Sequence, residues 1–243
     1  MTRPLVLAHR GASAAATENT MAAFVLAMEL GSEGVELDVR RTGDGQLAVH
    51  HDAHLADGRA IIELTAADLA AAEPNEPGGV RVPLLAEVLD ACAGTLVNIE
   101  IKSDRGDPDF DAGYPVAALV VGLLGDRTAR GDDVLVTSFD PDAIAAVAAA
   151  DAGIRTGLLS ADHDAPLAAI EAAVAGGHGA VMPHYTMIDA AFMERAGAAG
   201  LFVGTWTVND PEDIARMIGL GVDAVITDVP DVGLRVRSEM QQA

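Results

Sequence analysis

Gly34-Val35-Glu36-Leu37-Asp38-Val39 decides how this chain is read, together with Asn98-Ile99-Glu100-Ile101-Lys102 farther along. In an extended strand successive side chains point to opposite faces, so Glu36 and Asp38 share one face while Val35, Leu37 and Val39 share the other. Asn98, Glu100 and Lys102 share a face of the second stretch in the same way. If the two strands are neighbours, three carboxylates and one ammonium converge. Crowded carboxylates repel one another unless a cation neutralises them, and hard oxygen ligands suit Mg2+, Ca2+ or Mn2+ better than a soft metal. The pattern therefore predicts a divalent-metal site at Glu36, Asp38 and Glu100. An acidic alternation is also what a strand shows when one face meets water, so the surrounding chain has to choose between the two readings.

Outward from these strands the chain alternates. Short segments rich in β-branched residues, Leu5–Ala8, Val35–Arg40, Leu96–Ile101, Val134–Thr137, Arg155–Leu159, Ala180–Pro183, Leu201–Val208 and Ala224–Thr227, are separated by Ala-rich amphipathic stretches. That order predicts a mostly parallel sheet with helices outside it. About eight strand segments alternating with helices fit a closed α/β barrel, the TIM (β/α)8 barrel, better than a doubly wound sheet, which more often has five or six strands and a glycine-rich first turn. His9-Arg10-Gly11-Ala12 is not such a turn. Helix starts are marked at Thr17-Glu18-Asn19-Thr20, at the capping box Thr65-Ala66-Ala67-Asp68, and at Asp140-Pro141 and Asp210-Pro211. Gly31, Gly153, Gly200 and Gly221 stand where a left-handed residue would close a helix. Between the second and third barrel strands, Thr42-Gly43-Asp44-Gly45 followed by Gln46–His51 reads as a small hairpin insertion laid over one barrel end. Asp52–Pro83, with Asp57-Gly58, Pro74 and Pro77-Gly78-Gly79, holds one convincing helix.

Composition bounds the rest. A chain of 243 residues, half of them apolar, can bury one large core, and barrels of about 250 residues commonly stand as a single domain; residues 1–243 are read as one. No apolar run approaches the ~18 residues of a membrane span, and Leu5-Val6-Leu7-Ala8 is cut off by His9-Arg10 before it could form a signal-peptide core. Cys92 stands alone, so no intramolecular disulfide is possible. The expected location is cytoplasmic. A net charge of −22 argues against nucleic acid or an anionic membrane as partner, while a small anionic substrate is still accepted where a metal, an Arg and a Lys supply local positive potential.

Barrel enzymes keep their chemistry at the carboxyl ends of the strands. Those ends carry His9 and Arg10, Glu36 and Asp38, Glu100 and Lys102, and later Ser138, His184, Trp206 and Asp228; the hairpin adds His51. Structural need does not explain such a rim. The Asp107–Asp111 cluster lacks the spacing of a Ca2+ loop and reads as a solvated, lid-like loop, and His163 and His178 read as surface residues.

His9-Arg10-Gly11, Glu18-Asn19-Thr20-Met21-Ala22-Ala23-Phe24, Glu36-Leu37-Asp38-Val39, Asp44-Gly45, His51-Asp52, Val82-Pro83-Leu84-Leu85, Glu100-Ile101-Lys102 and Trp206-Thr207-Val208-Asn209 together resemble the ordered signature of the glycerophosphodiester phosphodiesterases. The resemblance runs from the first strand to Thr227-Asp228, and the order and spacing are specific where each string alone is weak. Two places depart from it: Thr17 stands where a Pro usually precedes Glu-Asn-Thr, and Ala53–Arg59 replaces the arginine-threonine run usual after His-Asp.

The resemblance implies a TIM barrel that hydrolyses glycerophosphodiesters to glycerol 3-phosphate and an alcohol with Ca2+ or Mg2+. A phosphodiester is an anion that repels nucleophiles, so a metal on Glu36, Asp38 and Glu100, with Arg10 and Lys102 on the phosphate, would offset charge in the transition state. His9 and His51 would be acid and base, an unperturbed imidazole suiting either task near neutral pH. Which is which stays open, as does direct attack by water against attack by the neighbouring hydroxyl to give a cyclic phosphate. Asp52 is placed to orient His51, although His50 and His54 compete for its role. Trp206 is either core or substrate wall.

Overall fold

The computed structural model describes residues 3–71, 81–129, 131 and 133–242; Pro74 and Pro77-Gly78-Gly79 lie outside them. Eight parallel strands, β1 (Leu5–His9), β2 (Gly34–Arg41), β4 (Leu96–Ile101), β5 (Asp133–Ser138), β6 (Arg155–Ser160), β7 (Ala180–Pro183), β8 (Phe202–Thr205) and β9 (Ala224–Thr227), pair in that order, and β1 pairs with both β2 and β9, so the sheet closes on itself. The additional strand β3 (Leu47–Val49) runs antiparallel to the end of β2 as the second arm of a hairpin, with Val39 opposite Val49 and Arg41 opposite Leu47. The barrel and its insertion are those expected from the alternation.

Helices lie outside the ring: α1 (Met21–Glu29), the short α2 (Ala66–Ala70), α3 (Leu85–Ala91), α4 (Pro115–Ala129), α5 (Pro141–Ala150), α6 (Pro166–Ala175), α7 (Ala190–Ala198), α8 (Pro211–Leu220) and α9 (Pro230–Gln242). Their starts follow the sequence signals. Thr20 caps α1, Thr65 and Asp68 form the capping box of α2, and Asp140 and Asp210 cap α5 and α8 with Pro at the first helical position. Gly31, Gly200 and Gly221 take the left-handed conformation expected of them. Gly153 does not, because α5 ends in an extended Asp151 whose carboxylate accepts the Gly153 N–H instead.

Because side chains alternate along a strand, each barrel strand packs one row against the helices and turns the other inward. Val35, Leu37 and Val39 join Phe24, Val88 and Val120 in the outer core. The inner rows begin apolar, with Leu7, Leu96, Leu135, Leu159, Met182 and Ile226 filling the lower barrel. Gly34 belongs there because a Cβ at that position would lie 2.2 Å from the Leu96 carbonyl oxygen. Higher on the same rows the residues turn polar: Leu7 leads to His9, Gly34 to Glu36, Asp38 and Arg40, Leu96 to Asn98 and Glu100, and Ile226 to Asp228. The predicted eighth segment, Leu201–Val208, is shorter as a strand, and Trp206 bridges to His184 beyond its end.

Candidate active site

Register brings the two opening motifs together. Glu36 pairs with Asn98 and Asp38 with Glu100 across the β2–β4 ladder, which puts carboxylates of equal height side by side. All of β2 but its last residue is buried, and Glu36, Asp38 and Glu100 are 4%, 1% and 8% exposed. The solvated-face reading of the alternation therefore fails. One oxygen from each carboxylate lies within 4.8 Å of the others.

Two cations are folded into this group. Lys102 Nζ lies 2.6 Å from Glu100 Oε1 and 3.0 Å from Asp38 Oδ1, and Arg10 Nε lies 3.1 Å from Asp38 Oδ2. Asn19 donates from Nδ2 to the same Asp38 Oδ2 at 2.8 Å. Burial alone would raise Asp38, but Lys102 and Arg10 hold it below the usual carboxylate range. Glu36 has weaker support, its Oε2 accepting from the Arg10 backbone N–H at 3.3 Å and lying 3.8 Å from His9 Nε2. Burial and the charge of Asp38 push its carboxyl up to about 8, and burial with Asp38 raises Glu100 as well. With all three carboxylates ionised the group would carry more negative charge than Arg10 and Lys102 offset, which is why burial and mutual repulsion raise Glu36 and Glu100. Asn19 Oδ1 is buried without a hydrogen bond, and Asp38 Oδ1 has only the Lys102 ammonium at 3.0 Å beside it. Three buried carboxylates within 4.8 Å of one another, two of them raised by burial and mutual repulsion, and an unpartnered buried amide oxygen are hard oxygen ligands suited to a divalent cation, and the residues present fit one.

Two histidines face the cavity next to this group. His9, at the end of β1, is held by Asp228 at the end of β9, its Nδ1 lying 2.6 Å from Asp228 Oδ1. A carboxylate can only accept, so Nδ1 carries the proton and Nε2 faces inward, 3.8 Å from Glu36 Oε2. Asp228 also accepts from Ser13 Oγ and Asn209 Nδ2. Burial works to lower the His9 pKa, but the hydrogen bond to Asp228 and the charge of Glu36 outweigh it and the net movement is upward. The same contacts take Asp228 down to about 2 against its partial burial. His51 comes from the hairpin, just past β3, with Nδ1 2.7 Å from Asp52 Oδ1. Burial is its largest influence and lowers its pKa, with Asp38 only partly offsetting it.

A cavity of about 140 Å3 is lined by His9, Arg10, Glu36, His51, Glu100, Lys102 and Trp206 among others, so it gathers seven of the eight positions given a metal, catalytic or substrate role from the sequence; the eighth, Asp38, is bound to Arg10 and Lys102. Trp206 serves both of its readings, its indole N–H donating to the Met182 carbonyl at 2.8 Å while its ring meets the cavity and packs edge-on against Phe139. His51 also lines two larger depressions of about 670 and 560 Å3. Residues 9–232 match the model of the glycerophosphoryl diester phosphodiesterase family.

The chain belongs to the glycerophosphoryl diester phosphodiesterase family. Like its family it is a phosphoric diester hydrolase. It is 32% identical over 241 residues to a glycerophosphodiester phosphodiesterase of Caldanaerobacter subterraneus, covering 94% of this chain and 96% of that one. Among solved structures it is similar to a glycerophosphoryl diester phosphodiesterase of Silicibacter pomeroyi, described as putative by its authors' name for it, at a TM-score of 0.85, 28% identity and coverage of 98% and 94%. It is also similar to a phosphodiesterase of Oleispira antarctica in complex with the product sn-glycerol-3-phosphate, at a TM-score of 0.83, 27% identity and coverage of 98% and 97%.

Other expectations change on this barrel. His178 is not a surface residue: it is 5% exposed and its Nδ1 lies 2.8 Å from Thr156 Oγ1, because the turn after α6 folds its ring back over Gly176. His163 is exposed as expected. The Asp107–Asp111 loop is not simply solvated, since Asp107 and Asp109 both pair with Arg40. Ser138 is buried and donates to the Ile101 carbonyl, a structural contact. Two neighbours of the site had no assigned part in the sequence. Arg40 continues the inward row of Glu36 and Asp38, a parity that period two alone discloses; Asn19 reaches Asp38 only through the fold of the β1–α1 loop.

Proposed function

We propose that this chain hydrolyses soluble glycerophosphodiesters to glycerol 3-phosphate and an alcohol, with His9 and His51 as the acid–base pair and a divalent cation, Mg2+, Ca2+ or Mn2+, held by Glu36, Asp38 and Glu100. The observation that carries the reading is the buried carboxylate group with both imidazoles on one cavity. The complex of the Oleispira relative with sn-glycerol-3-phosphate supports the product. When bound, the cation supplies positive charge against the phosphoryl oxygens.

This chain's own residues do the remaining work. Arg10 and Lys102 offset the charge that grows on the phosphoryl group, as donors already fixed in a cavity sheltered from water. One imidazole removes the proton of the attacking oxygen and the other protonates the departing alkoxide. Asp228 fixes the His9 tautomer so that Nε2 is the atom exchanging the proton. Trp206 and Phe139 wall the side where carbon atoms of the substrate would lie. Residues 1–243 act in this reading as a single cytoplasmic domain without nucleic-acid or stable membrane partners; the net charge of −22 supports the former exclusion, and no helix among the described residues is long and apolar enough to cross a membrane.

The test is a panel of glycerophosphodiesters incubated with the protein, with and without chelator, and assayed for released glycerol 3-phosphate. Release that stops in chelator and returns with Mg2+, Ca2+ or Mn2+ is the expected outcome; full activity of metal-stripped protein in excess chelator would refute the metal-dependent reading.

A further inference from the structure

The row that carries Glu36 and Asp38 has a third polar member, Arg40, near the upper end of β2. Its side chain is 4% exposed, which is unusual for a guanidinium unless it is fully paired. Every arm of the fork is engaged. Nε donates to the backbone carbonyl of His51 at 2.8 Å, Nη1 to both oxygens of Asp109 at 2.8 and 3.0 Å, and Nη2 to Asp107 Oδ2 at 2.8 Å. Asp109 is itself nearly buried, at 7% side-chain exposure.

These contacts join two segments that no strand pairing connects. The hairpin stays zipped to β2 as far as His50, whose N–H donates to the Asp38 carbonyl; at His51 the ladder is over. Asp107 and Asp109 belong to the loop from β4 to α4. Arg40 is bonded to both segments. Arg40 borders the depression of about 670 Å3 beside His51, but two carboxylates around its one guanidinium leave that wall net negative, which disfavours direct contact with a phosphodiester. A lysine could not replace it, having one point charge where four hydrogen bonds in fixed directions are made.

We propose that Arg40 is a positioning residue for His51: by holding the His51 carbonyl and clamping the Asp107–Asp109 loop against the hairpin, it keeps that imidazole at the cavity. The proposal rests on the acid–base reading of His51 given above. A ring carried past the end of a strand has its backbone free to rotate, and a small displacement of a proton-transferring group costs rate without costing substrate affinity.

A double-mutant cycle tests it. Arg40→Gln is expected to lower kcat by roughly 10–100-fold with KM within about twofold and calorimetric metal affinity unchanged, and Arg40→Lys to fall between it and the unaltered protein. Combined with His51→Ala, Arg40→Gln is expected to cause no further loss, because a residue acting through His51 has nothing left to act on. An equal loss in both backgrounds would overturn the proposal in favour of a purely structural role, and a rise in KM at unchanged kcat would overturn it in favour of contact with substrate. If Arg40→Gln does not fold, Asp109→Asn carries the test, since it leaves Arg40 paired with Asp107; it should lower kcat by a smaller factor, again only where His51 is present, and normal turnover would refute the clamp. Normal turnover in His51→Ala alone would instead bring down the acid–base reading of that residue, a result distinct from an additive cycle.

Discussion

His9 and His51 face one cavity from opposite kinds of support. His9 ends a barrel strand, its side chain is 18% exposed, and its partner Asp228 sits at the end of the neighbouring strand, fastened in turn by Ser13 and Asn209. His51 lies beyond the end of a hairpin arm, its side chain is 39% exposed, and its partner Asp52 is 76% exposed. The same residue type is consequently pushed in opposite directions, upward at His9 by a carboxylate held in place and downward at His51 by burial that no fixed carboxylate fully offsets. The contrast teaches where rigidity comes from. At His9 the sheet's own register supplies it, whereas at His51 it has to come from side chains.

The largest expected effect tests whether both histidines belong to one reaction. His9→Ala and His51→Ala should each remove on the order of 10²–10⁴-fold in turnover, the double variant losing much less than the product of the two, and metal affinity should stay intact by calorimetry. Collapse in His50→Ala or His54→Ala with normal turnover in His51→Ala would move the role along the hairpin. Normal turnover in His9→Ala would end the pairing altogether, because no other histidine follows the first strand.

The next effect compares the partners. Asp228→Asn should lower kcat by roughly 10–100-fold, as loss of an orienting carboxylate does, while Asp52→Asn should change it by less than about threefold because an exposed pair is weakly coupled. Equal losses measured in the same assay would erase the difference between the two sides.

The smallest effect is on stability. In metal-free protein the His9 pKa is raised, so that group's contribution is complete below its ordinary value of 6.5 and is lost as pH rises through the raised value. Asp228 is lowered to about 2, so its contribution is complete above its ordinary value of 3.8 and is lost as pH falls toward 2. The pair therefore stabilises most between these two ordinary values. With Asp228 partly open to water the amount is on the order of 1 kcal/mol. Denaturant titrations across pH should show a shallow maximum in that window for the unaltered protein and a flatter profile for Asp228→Asn; identical profiles would mean that the pair contributes nothing to folding.

Period two and the order of motifs were enough to read the barrel, the hairpin, the helix caps and the group Glu36, Asp38 and Glu100, because each depends on side-chain direction along a single strand or on a few adjacent residues. The same parity carries on to Arg40, but a parity names a face and not a partner. What the tertiary structure alone decided is how residues distant in the chain meet: the closure of β9 on β1 that brings Asp228 to His9, the loop that lays Asn19 on Asp38, and the approach of Asp107 and Asp109 to Arg40. It also decided burial, which separates a buried carboxylate row from a solvated one and moves His178 from the surface to the interior. Local sequence sets the direction of a side chain, whereas charge state and partnership depend on what the fold packs against it.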